Sequence, residues 1–179
     1  MTKAIPAAAE IDPLVARLEL APEPTDPEIL DAIAGRIAHA FGVANDEVAV
    51  LGVIAKGKLL KFIIPEKLRA IGTIPLSSTG SLAAKTAREK RGEISNNFAN
   101  SRHASVFEAV PIGRTQGETI QKIMSAPILL ENKTIGVVQI SRKARSQEES
   151  GTDFRSDDLR KLQIISTVLV KFVQVAMKS

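Results

Sequence analysis

The side chains best suited to hold a ligand lie between residues 94 and 107. Asn96, Asn97, Ser101, Arg102, His103 and Ser105 offer amides, hydroxyls, a guanidinium and an imidazole, and Ile94, Phe98, Val106 and Phe107 place apolar surface among them. A few convergent polar groups against apolar walls are what a small polar ligand requires. Gln139 sits inside the apolar run 135–140 and could reach the same space, or could face solvent from the outer side of its strand. Ile94, Asn96, Asn97, Phe98, Ser101, His103, Val106, Phe107 and Gln139 are therefore the candidate ligand contacts. The competing expectation is a solvated loop whose phenylalanines plug the core. His103 could also meet an anion or a haem iron, although such a histidine more often sits on the surface or caps a helix.

Catalytic chemistry is harder to assemble. No nucleophile, base and orienting group share a recognisable pattern. The chain has no cysteine, which removes disulfides, thiolate nucleophiles, thiolate metal ligands and thioether-linked chromophores together. With two histidines, His39 and His103, a His-rich metal site is not expected. Asp157 and Asp158 resemble a carboxylate pair, but they stand where a helix begins, and acids there favour the helix dipole. No catalytic residue and no metal ligand is expected.

The chain has 179 residues, 44% of them hydrophobic, with 25% charged and a net charge of +4. That suffices for one domain with a real core. Aromatics are 3% and no dense basic run stands out, so nucleic acid is not an expected partner. No apolar run approaches the roughly 18–20 residues that span a bilayer, and the N-terminus lacks the apolar core of a secretory signal. A cytoplasmic protein without membrane contact is the expectation.

Residues 1–24 contain Pro6, Pro13, Pro22 and Pro24 and read as a flexible leader, with a short helical piece over 14–20. Residues 25–179 read as a single domain. Its first helix spans Pro27 to Phe41: Thr25 or Asp26 can cap it, Pro27 fits the first helical position, and Ile29, Ile33, Ile37 and Phe41 form a stripe. Residues 47–54 and 59–64 form a hairpin across Lys56-Gly57-Lys58. A helix over 81–91 ends at Gly92, and a short strand follows over 93–97. Two apolar runs within 125–140 flank the polar break Glu131-Asn132-Lys133-Thr134 and form a central hairpin. Pro127 belongs at a strand start or beside an unpaired edge. The last helix starts near Ser156 as its cap. Leu162, Ile165, Leu169, Phe172 and Ala176 follow one another at spacings of 3, 4, 3 and 4. That repeat suits a seam with a second subunit, or burial on several sides within one chain.

This order resembles a GAF domain over about 26–178. The carriers are Ile74-Pro75-Leu76 followed by Gly80-Ser81-Leu82-Ala83, then Ser125-Ala126-Pro127-Ile128, then Ile135-Gly136-Val137-Val138-Gln139-Ile140, and last Phe154-Arg155-Ser156-Asp157-Asp158-Leu159. The resemblance implies an α+β fold: a central antiparallel sheet with the N- and C-terminal helices on one face and short helices and loops closing a small pocket on the other. It also implies a non-catalytic sensory or regulatory domain that binds a small-molecule effector, homodimerises, or both, and signals to a partner protein. A structural or protein-interaction module with a filled pocket is the alternative, and a cryptic enzyme a third. Members that carry a covalent bilin need a cysteine, which this chain lacks. Members that bind cyclic nucleotides carry Asn-Lys after the hairpin, where Ser141-Arg142 stand here, and that argues against such a ligand.

Overall fold

The structure is a computed structural model that describes residues 6–70, 72–100 and 118–178. Among these, six strands form one sheet: β1 (Val48–Ile54), β2 (Leu59–Ile64), β3 (Thr73–Pro75), β4 (Glu93–Ser95), β5 (Thr119–Leu130) and β6 (Lys133–Ala144). Their spatial order is β3-β2-β1-β6-β5-β4, with antiparallel neighbours throughout. The central hairpin β5–β6 turns through Glu131 and Asn132, both at positive φ (50° and 63°). That pair of left-handed residues is what a two-residue turn between right-twisted strands demands. The expected polar break is thus shorter than its four residues, since Lys133 and Thr134 already belong to β6. The ladder between β4 and β5 stops at Ser125, so Pro127 lies past its end, where its missing N–H costs β4 nothing.

Strand alternation sorts the side chains. Val138 and Ile140 join the large core cluster on one face, and Val137 joins a smaller one on the other. Three helices cover the first face: α1 (Pro6–Leu20), α2 (Pro27–Phe41) and α4 (Ser156–Ala176). The second face carries α3 (Leu82–Glu89). This is the expected α+β layering, with one helix more on the first face.

That extra helix corrects the leader expected over 1–24. Pro6–Leu20 is helical for 15 residues with Pro13 inside it. An interior proline removes one helix hydrogen bond. The loss is offset by burial of Ala7, Ile11, Leu14, Val15 and Leu18, a stripe that packs on α2 and α4. Ion pairs from Glu10 to Arg36 (3.0 Å) and Glu19 to Lys171 (3.4 Å) flank the contact.

The start of α2 is as expected. Asp26 accepts hydrogen bonds from the backbone N–H groups of Glu28 (3.0 Å) and Ile29 (3.3 Å), and Gly42 closes the helix in the left-handed region. At α3 the left-handed terminator is Lys90 rather than Gly92. At α4 the capping residue is Arg155, not Ser156. Its N–H donates to the Asp158 carboxylate (2.8 Å), while Phe154, just before it, is buried in the core.

Leu162, Ile165, Leu169 and Phe172 are each 0% exposed and Ala176 is 4% exposed. This corrects their candidacy as a seam between subunits: the repeat faces the sheet and the other two helices of the same chain, leaving no surface for a partner. Gly136 lets α4 come so close, and Gly52 makes room for the Met177 side chain just past its end. A Cβ at Gly136 would lie 2.5 Å from the Leu51 carbonyl oxygen and 3.3 Å from Val173, and one at Gly52 would lie 2.5 Å from Met177 Sδ.

Candidate functional site

The second face is built differently. Small residues of α3, namely Ala83, Ala84 and Ala87, let it lie close over Leu51, Leu60, Phe62 and Val137. Leu82, Phe98, Ile120 and Ile123 form a separate apolar cluster toward β5 and the start of the chain segment after β4. Between the two clusters runs a buried line of polar side chains. Gln139 Nε2 donates to Ser125 Oγ (3.2 Å), Ser125 Oγ meets Thr86 Oγ1 (2.7 Å), and Thr86 Oγ1 donates to the Leu82 carbonyl (2.9 Å). A hydroxyl has one proton. Since that of Thr86 goes to Leu82, Ser125 is the donor to Thr86, and the three groups form a relay with a single sense. Exposures of 5% for Gln139, 0% for Ser125 and 2% for Thr86 place the whole relay out of water. Buried polar groups are tolerated only when partnered in this way. At its rim Lys85 and Glu93 form an ion pair of 2.8 Å, and Ser141 donates to the Glu47 carbonyl (3.4 Å).

The candidate contacts divide between the two faces. Gln139 lies on the α3 face and is buried, so the alternative of a solvent-facing side chain does not hold. Phe98, 1% exposed, belongs to the apolar cluster beside it. Ile94 is corrected: it packs against the large core of the other face, because Glu93, its neighbour in β4, points to Lys85 of α3 and successive residues alternate. Asn96 is corrected too. Its Oδ1 accepts from Phe154 N (2.9 Å) and its Nδ2 donates to Phe154 O (3.0 Å), so both ends of the amide fasten the chain ahead of α4. Asn97 is exposed, its Oδ1 accepting from Asn100 (2.8 Å). Ser101, His103, Val106 and Phe107 lie outside the described residues, as do Arg102 and Ser105. Ser125 and Thr86 were not among the candidates. The available signal was a hydroxyl at an inward position of an apolar pattern: Thr86 is spaced with Leu82 and Ala83, and Ser125 lies in the middle of β5.

Among the described residues, no three His, Cys, Asp or Glu side chains are grouped to hold a metal ion, and no helix is long and apolar enough to cross a membrane.

An antiparallel sheet with terminal helices on one face and a short helix on the other defines a class of small α+β domains. The chain belongs to the GAF domain family, whose sequence profile matches residues 27–171; the family is one of regulatory and sensory domains. No curated protein sequence matches the chain significantly. Solved structures share the fold at low identity. The GAF domain of an Acinetobacter phosphoenolpyruvate-protein phosphotransferase is 12% identical over 97% of this chain and 95% of that one, with a TM-score of 0.65. Residues 122 to 287 of a methyl-accepting chemotaxis protein are 14% identical over 90% of this chain and 96% of that fragment, with a TM-score of 0.62. The free methionine-R-sulfoxide reductase of Neisseria meningitidis, solved with its substrate, is 16% identical over 98% and 95%, with a TM-score of 0.58.

Proposed function

We propose that the chain is a non-catalytic sensory or regulatory GAF module whose α3 face receives a small-molecule effector and passes the event to a partner protein. One observation carries this reading: the buried Gln139–Ser125–Thr86 relay, lying between two apolar clusters. An effector with a hydrogen-bonding edge and an apolar body would exchange contacts with Gln139 while covering Phe98, Ile120 and Ile123. Ser101, His103, Val106 and Phe107 are proposed to complete the wall. Thiol-based reduction, the route we expect for reductases of this fold, is closed to a chain without cysteine. Covalent bilin attachment is closed for the same reason. A cyclic nucleotide is disfavoured, because Ser141 is tied to the Glu47 carbonyl and Arg142 points to the opposite face against Phe154 (4.7 Å).

A thermal-shift screen over nucleotides, amino acids, haem and small organic acids tests the proposal. At least one compound should stabilise the wild type and lose that effect with Gln139→Leu. If every binder stabilises both proteins equally, the α3 face is not the receptor.

A second reading, a protein-interaction module with a filled pocket, is favoured by the close fit of Ala83, Ala84 and Ala87 over Leu51 and Val137. In that case no small molecule shifts the melting point, and the module acts through contact alone. A homodimer would use the outer arc of α4 around Ile164, which is 36% exposed, rather than the buried seam. Ile164→Glu then lowers the mass seen by light scattering without lowering stability.

A further inference from the structure

On the first face, next to the start of α4, two cations stand directly opposite each other across the central hairpin. Lys122 of β5 pairs in register with Arg142 of β6. Like charges opposed on one sheet face repel, and burial raises the cost because water no longer screens them. Lys122 is only 4% exposed. Its Nζ donates to the Asp153 carboxylate (2.8 Å) and to the Gly151 carbonyl. The Arg142 guanidinium lies over the Phe154 ring at 4.7 Å, and its buried Nε has no hydrogen-bond partner. Among the described residues, Asp153 is the one carboxylate ion-paired with either cation, and its side chain is 64% exposed. Among the described residues the pair therefore carries two positive charges against one exposed carboxylate, with a donor left over.

We propose that Lys122 and Arg142 form a seat for a phosphate dianion, occupied in part by Asp153 as a resident competitor. The charge count selects the ligand. A monocarboxylate would only replace Asp153, leaving the same imbalance. A dianion neutralises both cations and offers enough oxygens to reach Arg142 Nε as well as Lys122 Nζ. Entry of the phosphate displaces Asp153 from Lys122 and so removes one tie on the segment that leads into α4, whose Phe154 stays fastened by Asn96. The seat lies on the face opposite the Gln139 relay and stands or falls separately from it.

Calorimetric titration of the full chain with inorganic phosphate, at constant ionic strength balanced with chloride, tests this. Wild type should bind, and Asp153→Asn should bind about fivefold tighter, since a half-exposed ion pair competes with about 1 kcal/mol. Arg142→Lys keeps the charge but removes Nε, and should weaken binding several-fold with an unchanged circular dichroism spectrum. Glycerol phosphate in a parallel titration separates the source: tighter binding than inorganic phosphate marks a phosphate ester, equal binding free phosphate, and either supports the seat. The proposal is overturned if neither wild type nor Asp153→Asn takes up phosphate at millimolar concentration, or if Asp153→Asn binds no tighter than wild type.

Discussion

The two faces of the sheet obey different rules. The first packs three helices over one large apolar cluster, with the Lys122–Arg142 pair beside the start of α4, and Gly136 admits α4 to close approach. The second divides its apolar surface into two clusters and runs hydrogen-bonded polar groups between them. Burying such groups gives little net stability even when each is partnered. The first face thus supplies the stability, and the second retains polar groups that a purely structural layer would replace with apolar ones. That contrast is why we propose the α3 face as the receptor.

Substitutions can break or sharpen the contrast. Phe172→Ala, which empties the middle of the first face, should cost about 4 kcal/mol in denaturant unfolding; a loss below about 1 kcal/mol would mean that the face is loosely packed. Gly136→Ala should cost about 3 kcal/mol, because the new methyl meets the Leu51 carbonyl and β1 must move. Ser125→Ala on the second face should cost about 2 kcal/mol, since it leaves Gln139 without its acceptor and removes the donor to Thr86. A stabilising Ser125→Ala would show that the relay is not fully formed. Asp26→Ala, at the edge of the first face, should cost about 1 kcal/mol through loss of the α2 cap, read as a drop in melting temperature.

Much of the fold was legible because local signals agreed with packing. Asp26-Pro27 with the Ile29-Ile33-Ile37-Phe41 stripe announces α2, and the paired apolar runs around Glu131-Asn132 announce the central hairpin. The helix α1 was hidden by Pro6 and Pro13. Its stripe of Ile11, Leu14, Val15 and Leu18 was there to be read, but the partners that make it worthwhile, α2 and α4, lie far along the chain. The same limit applies to the 3-4 repeat of α4. Spacing shows that a stripe is buried, yet not whether the cover comes from the same chain or another. For the candidate site, the inward direction of Gln139 was legible from its place in an apolar strand, whereas the direction of Ile94 was not. In a three-residue strand the face is set by register with β5 and by the contact to Lys85, neither of which periodicity reveals.

The central claim is that the α3 face is the receptive one. Methyl NMR on isoleucine-labelled protein, titrated with whichever compound raises the melting temperature most, tests it most directly. The account predicts shifts concentrated at Ile120 and Ile123, with Ile33, Ile37 and Ile165 unmoved. Shifts concentrated at Ile33, Ile37 and Ile165 instead, with Ile120 and Ile123 silent, would contradict it.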